Sequence, residues 1–213
     1  MTSDYIVPLF ESKDLTSFIG TAFCIDNFLI TAGHIVPHYR IYYTKDNRRF
    51  FEIYPENWII RQHPKEDYPE RDVAICKLEG LKSELSLSTS PLDDTEADVI
   101  CWQKKGNSPI AFSTKGLVCR NSDENTNFYK LVTCDRITHG SSGCPILQGN
   151  KVVGMLTHGV DNPTFDPNDY PNASQDLINE ILRNKQNTCR ILRPEYIQKV
   201  LDSVNKDSWH RDN

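Results

Sequence analysis

Residues 18–34 read FIGTAFCIDNFLITAGH, and this stretch contains the pattern that decides the fold. Two short apolar runs, Phe18–Ile25 and Phe28–Thr31, are separated by a turn-forming Asp-Asn pair. Runs of this length that are bounded by turn residues are typical of β-strands. The stretch therefore predicts a pair of strands followed by His34, whose imidazole is a candidate general base.

The same pattern of short apolar runs and turn residues continues along the chain. Further candidate strands are Ile6–Phe10, Tyr39–Thr44, Phe50–Tyr54, Trp58–Arg61, Val73–Leu78, Val99–Gln103, Ile110–Cys119, Tyr129–Cys134, Pro145–Leu147, Val152–His158 and Cys189–Leu192. About six candidate strands fall on each side of Gly80–Ala97, which is rich in Ser, Thr, Asp and Glu and is interpreted as a linker. The sequence predicts an all-β barrel or sandwich in two halves.

Helical periodicity appears only late in the chain. Ser174–Arg183 places its apolar residues on one face behind a serine that suits the helix N-cap. Pro194–Val204 starts with a proline at the first helical position and repeats apolar residues at i, i+3, i+4 and i+7. We expect one helix inside an insert at 161–186 and another near the C-terminus.

Composition excludes several classes of protein. The 213 residues carry a formal net charge of −5, which argues against nucleic acid as the main partner. No apolar run approaches the ~20 residues of a membrane-spanning helix. Residues 1–8 lack the basic start and long apolar region of a secretory signal. We expect a soluble globular protein that acts on neither nucleic acid nor membranes.

Cysteine usage indicates a reducing compartment. The seven cysteines are scattered, odd in number and without a C-x-x-C pair, and most lie in apolar stretches. This pattern favours buried free thiols over a disulfide framework, and it lacks the closely spaced ligand pairs of a structural zinc site. We expect a cytoplasmic location.

Three segments could supply a general base, an orienting carboxylate and a nucleophile. Along the chain they hold His34, Asp72 and Ser142, respectively. Each residue alone is more often structural, as a histidine beside an apolar residue or an aspartate at a strand edge. Together they match what an activated serine needs, since an imidazole takes its proton and a carboxylate fixes the imidazole tautomer. The order differs from that of subtilisin and of α/β-hydrolases. The α/β-hydrolase elbow needs a glycine two residues on each side of the serine, and Ser142 has Gly140 before it but Cys144 after it.

The motifs around these residues resemble those of trypsin-like serine proteases with the chymotrypsin fold. Gly20–Ile25 with Thr31–Val36 resembles the family block around its histidine, Asp72–Leu78 resembles the block around its aspartate, and Gly140–Ile146 resembles the block around its serine. Bacterial peptidases of the high-temperature-requirement and glutamyl-endopeptidase groups are the most similar. The ordered set covers most of the chain.

The resemblance implies an all-β fold of two six-stranded antiparallel β-barrels with the active site between them, plus a C-terminal helix and a helical insert. It divides the chain into an N-terminal barrel at 1–80 holding His34 and Asp72, a linker at 81–97, a C-terminal barrel at 98–193 holding Ser142, and a C-terminal helix and tail at 194–213. The insert at 161–186 lies within the second barrel. Because it is long and acidic and contains its own short helix, we expect it to act as a lid or docking element that controls access to the substrate pocket.

Residue by residue, the resemblance implies that Ser142 is the nucleophile, His34 the general base and acid, and Asp72 the orienting carboxylate. The backbone N–H groups of Gly140 and Ser142 would form the oxyanion hole. Thr157 matches a hydroxyl residue that supports the buried aspartate. The backbone of Thr157, His158 and Gly159 would bind the substrate as an added β-strand. No metal or organic cofactor is implied.

Three departures from the family pattern bear on function. Cys144 replaces a glycine two residues after the nucleophile, and we do not expect it to be catalytic. Ser141 replaces the acidic residue that pairs with a newly cut N-terminus in trypsin, so activation by N-terminal clipping is not expected. Arg136 lies six residues before the nucleophile, where trypsin has its acidic specificity residue. Either it lies in the primary pocket and favours an acidic side chain before the cut, or it is a surface arginine.

The function expected from the sequence is an intracellular serine endopeptidase that acts on protein or peptide substrates through an acyl-enzyme. One alternative is a protease-fold protein-binding module with weak or no turnover. Another is a protease that stays silent until a regulatory protein partner orders its loops.

Overall fold

A computed structural model describes residues 5–36, 39–46, 48–62, 72–78, 83–88, 95–119, 128–160, 165–184 and 187–208. These ranges contain fourteen β-strands, which form two seven-stranded sheets, and two α-helices. The chain is therefore mainly β-structure, which confirms the predicted all-β class.

The first sheet is built from the N-terminal third of the chain. Its strands are β1 (Ile6–Phe10), β2 (Phe18–Ile25), β3 (Phe28–Thr31), β4 (Ile41–Thr44), β5 (Phe50–Ile53), β6 (Trp58–Gln62) and β7 (Val73–Lys77). They lie in the order β5-β4-β1-β2-β3-β7-β6, and every neighbouring pair is antiparallel. In the described residues β5 and β6 form the two edges, so this sheet is a half-barrel.

The second sheet closes on itself. Its strands are β8 (Ser86–Leu87), β9 (Thr95–Lys105), β10 (Ser108–Cys119), β11 (Phe128–Thr133), β12 (Pro145–Gln148), β13 (Lys151–Val160) and β14 (Asn187–Leu192). Because β12 pairs with both β9 and β13, six antiparallel strands form a closed barrel. The short strand β8 adds to β13 in parallel.

Both faces of the first strands are buried, which explains their continuous apolar sequence. In β1, Val7 and Leu9 pack inside the half-barrel, while Ile6 and Phe10 pack into a cluster that joins the two sheets. Successive side chains of a strand point to opposite faces, so one run supplies both cores. The joining cluster also includes Trp102 of β9, whose indole N–H donates to the carbonyl of Ile6 at 3.1 Å. The two sheets are thus held face to face by a shared core.

The two helices occupy different places. Helix α1 (Gln175–Arg183) begins after the N-cap Ser174, whose side chain accepts from the Leu177 N–H, and it buries Leu177, Ile178 and Ile181 against strands β10 and β11. Helix α2 (Pro194–Ser208) packs its apolar residues into the cluster between the sheets. No helix in the described part of the chain is long and apolar enough to cross a membrane.

Two expectations about segments between strands need comment. The predicted linker 81–97 contains β8 and the first residues of β9, because a strand of only two residues leaves no apolar pattern to read. The domain boundaries stay predictions. Of the predicted insert, residues 161–164, 185 and 186 lie outside the described ranges.

Candidate active site

Strand pairing brings His34 and Asp72 together. His34 lies in a short 3-10 turn, Gly33–Ile35, directly after β3. Asp72 directly precedes β7, and β3 and β7 are antiparallel with Thr31 opposite Ala74. The end of β3 therefore meets the start of β7, and the two side chains face each other across this corner.

Two hydrogen bonds join His34 to the Asp72 carboxylate. The backbone N–H of His34 donates to Oδ1 at 2.7 Å, and ring Nδ1 lies 2.7 Å from Oδ2. Because a carboxylate only accepts, Nδ1 of His34 carries the proton and Nε2 has the free lone pair. Asp72 is 0% exposed, whereas 33% of the His34 side chain is accessible. The arrangement fixes both the tautomer and the orientation of a ring that can accept a proton at Nε2.

The Ser142 loop is held against the first sheet. The Thr21 N–H donates to the Ser142 carbonyl at 3.0 Å, and the Thr21 hydroxyl donates to the Gly140 carbonyl at 2.9 Å. Gly140 and Gly143 have φ angles of +95° and +84°, in the left-handed region that other residues rarely adopt. A Cβ at Gly143 would also collide with the Thr21 carbonyl and the Thr31 hydroxyl. The loop therefore needs both glycines.

This loop presents two backbone N–H groups with no protein acceptor. Within the described ranges, neither the Gly140 nor the Ser142 N–H donates to any protein atom, while the Gly143 N–H donates to the Leu156 carbonyl at 2.8 Å. N–H groups that are not engaged in the fold can bind a developing oxyanion. The assignment of these two N–H groups to an oxyanion hole stays a prediction.

A cavity of about 790 Å³ lies between the two sheets and contains His34, Gly140 and Ser142. Its other lining residues are Phe18, Ile19, Ile35, Lys104, Arg136, Ile137, Thr138, His139, Leu156, Gly159, Thr188 and Cys189. Two of the lining side chains are cationic and, among those described, none is acidic. The cavity is suited to a chain segment that carries a negative charge.

The predicted substrate residues are only partly brought to this cavity. Arg136 and Gly159 line it. Thr157 is buried, and its hydroxyl donates to the Arg190 carbonyl at 3.2 Å, so the expectation that it supports Asp72 is wrong. The pairing of β13 with β14 shifts register between Leu156 and His158, which is a β-bulge. A bulge re-aims side chains relative to a regular strand.

His158 instead lies beside Asp72. Its Nδ1 is 3.9 Å from Asp72 Oδ2, and its ring centroid is 5.3 Å from that of His34. Burial lowers the pKa of His158 below its ordinary value, and His34 and Arg190 act in the same direction against the opposing effect of Asp72. His158 is therefore neutral at neutral pH. The position of His158 beside Asp72 could not be predicted from the alternating pattern of a strand, because it arises from the bulge.

Two further cavity residues escaped sequence reasoning. Lys104 lies on β9, and Thr188 lies on β14 with a buried hydroxyl that has no hydrogen-bond partner among the described residues. A polar group left without a partner in a cavity is available to a ligand. Only the pairing of distant strands places these residues at the site, so no local signal could have found them.

The Cys144 thiol, two residues after Ser142, is not a candidate nucleophile. All seven cysteines are free, and all but Cys119 are buried. Cys144 is fully buried, and burial raises the pKa of its thiol well above the ordinary value. A protonated thiol is a poor nucleophile. This agrees with the interpretation that Cys144 is structural.

Comparison with known families decides the classification. The family described as trypsin-like peptidase domain matches residues 20–155, a range that holds His34, Asp72 and Ser142. This chain belongs to the trypsin-like peptidase domain family. A human heparin binding protein has a similar fold, with a TM-score of 0.64 and 10% identity over 95% of this chain and 92% of that one. No curated protein matches the sequence of this trypsin-like peptidase domain.

The structural likeness extends over nearly the whole of this trypsin-like peptidase domain. At 10% identity it shows the chymotrypsin-like fold alone. The suggested closeness to the bacterial high-temperature-requirement and glutamyl-endopeptidase groups stays a prediction.

Proposed function

We propose that this chain is an intracellular serine endopeptidase that cleaves peptide bonds through an acyl-enzyme on Ser142. The observation that carries the proposal is the His34–Asp72 pair, whose two 2.7 Å hydrogen bonds, one from the backbone and one from the ring, orient the imidazole at the cavity that also holds Ser142. The seven free thiols support an intracellular location, since disulfides persist mainly in oxidising compartments. Activation by a regulatory partner stays a prediction.

The proposed reaction uses the residues as follows. Ser142 Oγ attacks the substrate carbonyl carbon while His34 Nε2 takes the hydroxyl proton. The N–H groups of Gly140 and Ser142 stabilise the oxyanion, a contribution worth about 100–1,000-fold per donor. His34 then gives the proton to the leaving amine, and a water molecule activated by the same nitrogen hydrolyses the acyl-enzyme.

We further propose that the enzyme prefers an acidic side chain immediately before the cut. Arg136 lines the cavity, is exposed, and has no ion-pair partner among the described residues. The neighbouring Asp135 carboxylate accepts instead from the Thr114 hydroxyl at 2.9 Å. Lys104 adds a second positive charge, and the unpartnered Thr188 hydroxyl can donate to a bound carboxylate.

Cleavage of a peptide library by the purified chain tests both the mechanism on Ser142 and the preference for an acidic side chain before the cut. We expect products with Glu or Asp before the cut, and no products from Ser142→Ala. Arg136→Gln should lower the ratio of kcat/KM for matched Glu and Gln peptides by about 10–100-fold, since a hydrogen bond to a charged group contributes about 1.5–3 kcal/mol.

Arg183→Gln is the matched control, because Arg183 lies at the end of α1, outside the cavity lining. Products that follow Lys or Arg, or a Glu-to-Gln ratio that Arg136→Gln leaves unchanged, would contradict the specificity. Products that persist in Ser142→Ala would contradict the mechanism.

A further inference from the structure

The second histidine beside Asp72 completes a set of three metal-binding donors. One donor atom each from His34, Asp72 and His158 lies within 4.8 Å of the other two. The Asp72 Oδ2 atom lies 2.7 Å from His34 Nδ1 and 3.9 Å from His158 Nδ1. Two imidazole nitrogens and one carboxylate oxygen are the ligands that zinc prefers at sites that keep an open position.

One of these donors has no hydrogen-bond partner among the described residues. The Nδ1 atom of His158 is buried and makes no hydrogen bond to any described residue. A buried polar atom without a partner is uncommon, and it calls for an explanation such as an ion that is bound there. The two imidazole rings are partly exposed, with 33% of the His34 and 39% of the His158 side chain accessible, so the cluster lies near the surface.

We propose that His34, Asp72 and His158 bind a divalent transition metal of the zinc class, and that this metal inhibits the peptidase. Ligand bonds of about 2.0–2.2 Å in a tetrahedral site place neighbouring donors about 3.3 Å apart. The 2.7 and 3.9 Å separations from Asp72 Oδ2 lie on either side of this value, and the site forms when the two imidazole rings move to bring all three donor atoms to this spacing.

The inhibition follows from the tautomer of His34. Zinc on Nδ1 takes the lone pair of that nitrogen, so the single proton of the neutral ring moves to Nε2. A protonated Nε2 cannot accept the Ser142 proton. The Asp72 Oδ1 atom keeps its hydrogen bond from the His34 N–H at 2.7 Å, so the metal replaces only the Nδ1–Oδ2 contact.

Metal binding is measured apart from catalysis. We would titrate the Ser142→Ala chain with zinc chloride in a calorimeter, because Ser142 is not a ligand. His158→Ala should weaken binding by about 100-fold or more, since loss of an outer-shell partner alone costs about 10–100-fold. His158→Gln should behave in the same way, and it keeps a polar group if the alanine variant is unstable.

Two matched control variants test whether zinc binds to other side chains instead. His139→Ala removes an exposed histidine of the same cavity that lies outside the cluster, and Cys119→Ser removes the half-exposed thiol. Both should bind zinc as the parent does. Cobalt bound to Ser142→Ala should show visible bands of nitrogen and oxygen ligation without the intense near-ultraviolet band of a thiolate.

Parent-like zinc affinity in both His158 variants, or a thiolate band with cobalt, would overturn the site. The inhibitory role rests on the proposed function and has its own readout: zinc should slow the reaction of the wild-type chain with a fluorophosphonate at least tenfold, and a chelator should restore it. If zinc binds through His158 but this rate is unchanged, the inhibitory role is wrong. If the wild type does not react even without metal, the proposed function fails while the metal site stands.

Discussion

Asp72→Asn is the substitution that most sharply separates geometry from chemistry at this site. The asparagine side chain has the same shape, and Asp72 is 0% exposed, so the packing is preserved. The His34 N–H still needs an acceptor 2.7 Å away, so the amide oxygen takes the place of Oδ1. The amide NH2 then faces Nδ1, which must become the acceptor.

The consequence is a reversed tautomer. With Nδ1 accepting, the proton of the neutral His34 ring is on Nε2, and the ring cannot take a proton from Ser142. A change of this kind lowers turnover by about 10⁴-fold in a serine protease, which corresponds to about 5.4 kcal/mol in the activation barrier. We expect that loss in kcat with little change in KM.

Peptide turnover and thermal unfolding, measured together, check the prediction. Asp98→Asn is the control, because Asp98 is an exposed aspartate on β9. It should keep full activity. If Asp72→Asn unfolds at the same temperature as the wild type and retains more than a tenth of its kcat, the tautomer argument is refuted.

Three further predictions concern the loop, the thiols and the insert. Gly143→Ala should lower the rate of acylation at least 100-fold, because the added methyl group would collide with the Thr21 carbonyl. Gly149→Ala is the matched control, since Gly149 also has a positive φ but open space around it; equal acylation rates in the two variants would contradict this. Burial raises the pKa of the Cys24 thiol to about 12, so the folded state holds its proton while unfolded thiols ionise near pH 9, and stability falls as pH rises. We expect this thiol to lower the free energy of unfolding by about 1.4 kcal/mol between pH 8 and 10. In urea unfolding, the free energy should therefore decline more steeply with pH in the wild type than in Cys24→Ala, and parallel declines in the two proteins would contradict this. Ile181→Ala should destabilise the fold by about 2–5 kcal/mol with kcat/KM unchanged, since Ile181 of α1 is fully buried; a raised kcat/KM would restore the lid hypothesis.

The last of these predictions reflects a correction. Residues 165–184, the described part of the insert, do not line the cavity, and α1 packs against β10 and β11 on the second barrel. The helix itself was predictable, because its apolar period and its N-cap Ser174 are local signals. The role of the insert could not be predicted, because the length and acidity of a segment do not indicate which surface it covers.

The strands show the same division between local and distant information. The bounds of β1, β2 and β3 follow directly from the sequence, because these strands are buried on both faces and every residue in them reports burial. Strand β8 was missed because its two residues pair with β13 inside a polar segment. The first sheet is a half-barrel. Whether the edge strands of a sheet pair to close a barrel cannot be read from the periodicity of the sequence.

At the site, the candidate catalytic residues could be predicted from local motifs, but their neighbours could not. His34, Asp72 and Ser142 stand in short motifs whose order is informative. His158 reaches Asp72 because of a bulge in β13, and Thr188 reaches the cavity from β14. Neither placement can be read from a local pattern, because both depend on strands that are far apart in the sequence.

Covalent labelling tests the central claim, that Ser142 is a nucleophile activated by His34, more directly than any other measurement. The chain is incubated with diisopropyl fluorophosphate, its intact mass is measured by mass spectrometry, and the site of the adduct is mapped by proteolysis. We predict a single adduct on Ser142 in the wild type, none on Ser142→Ala, and labelling at least 1,000-fold slower in His34→Ala, in line with the loss expected when the base of such a set is removed. An unlabelled wild type, or an adduct that persists in Ser142→Ala, would contradict the account.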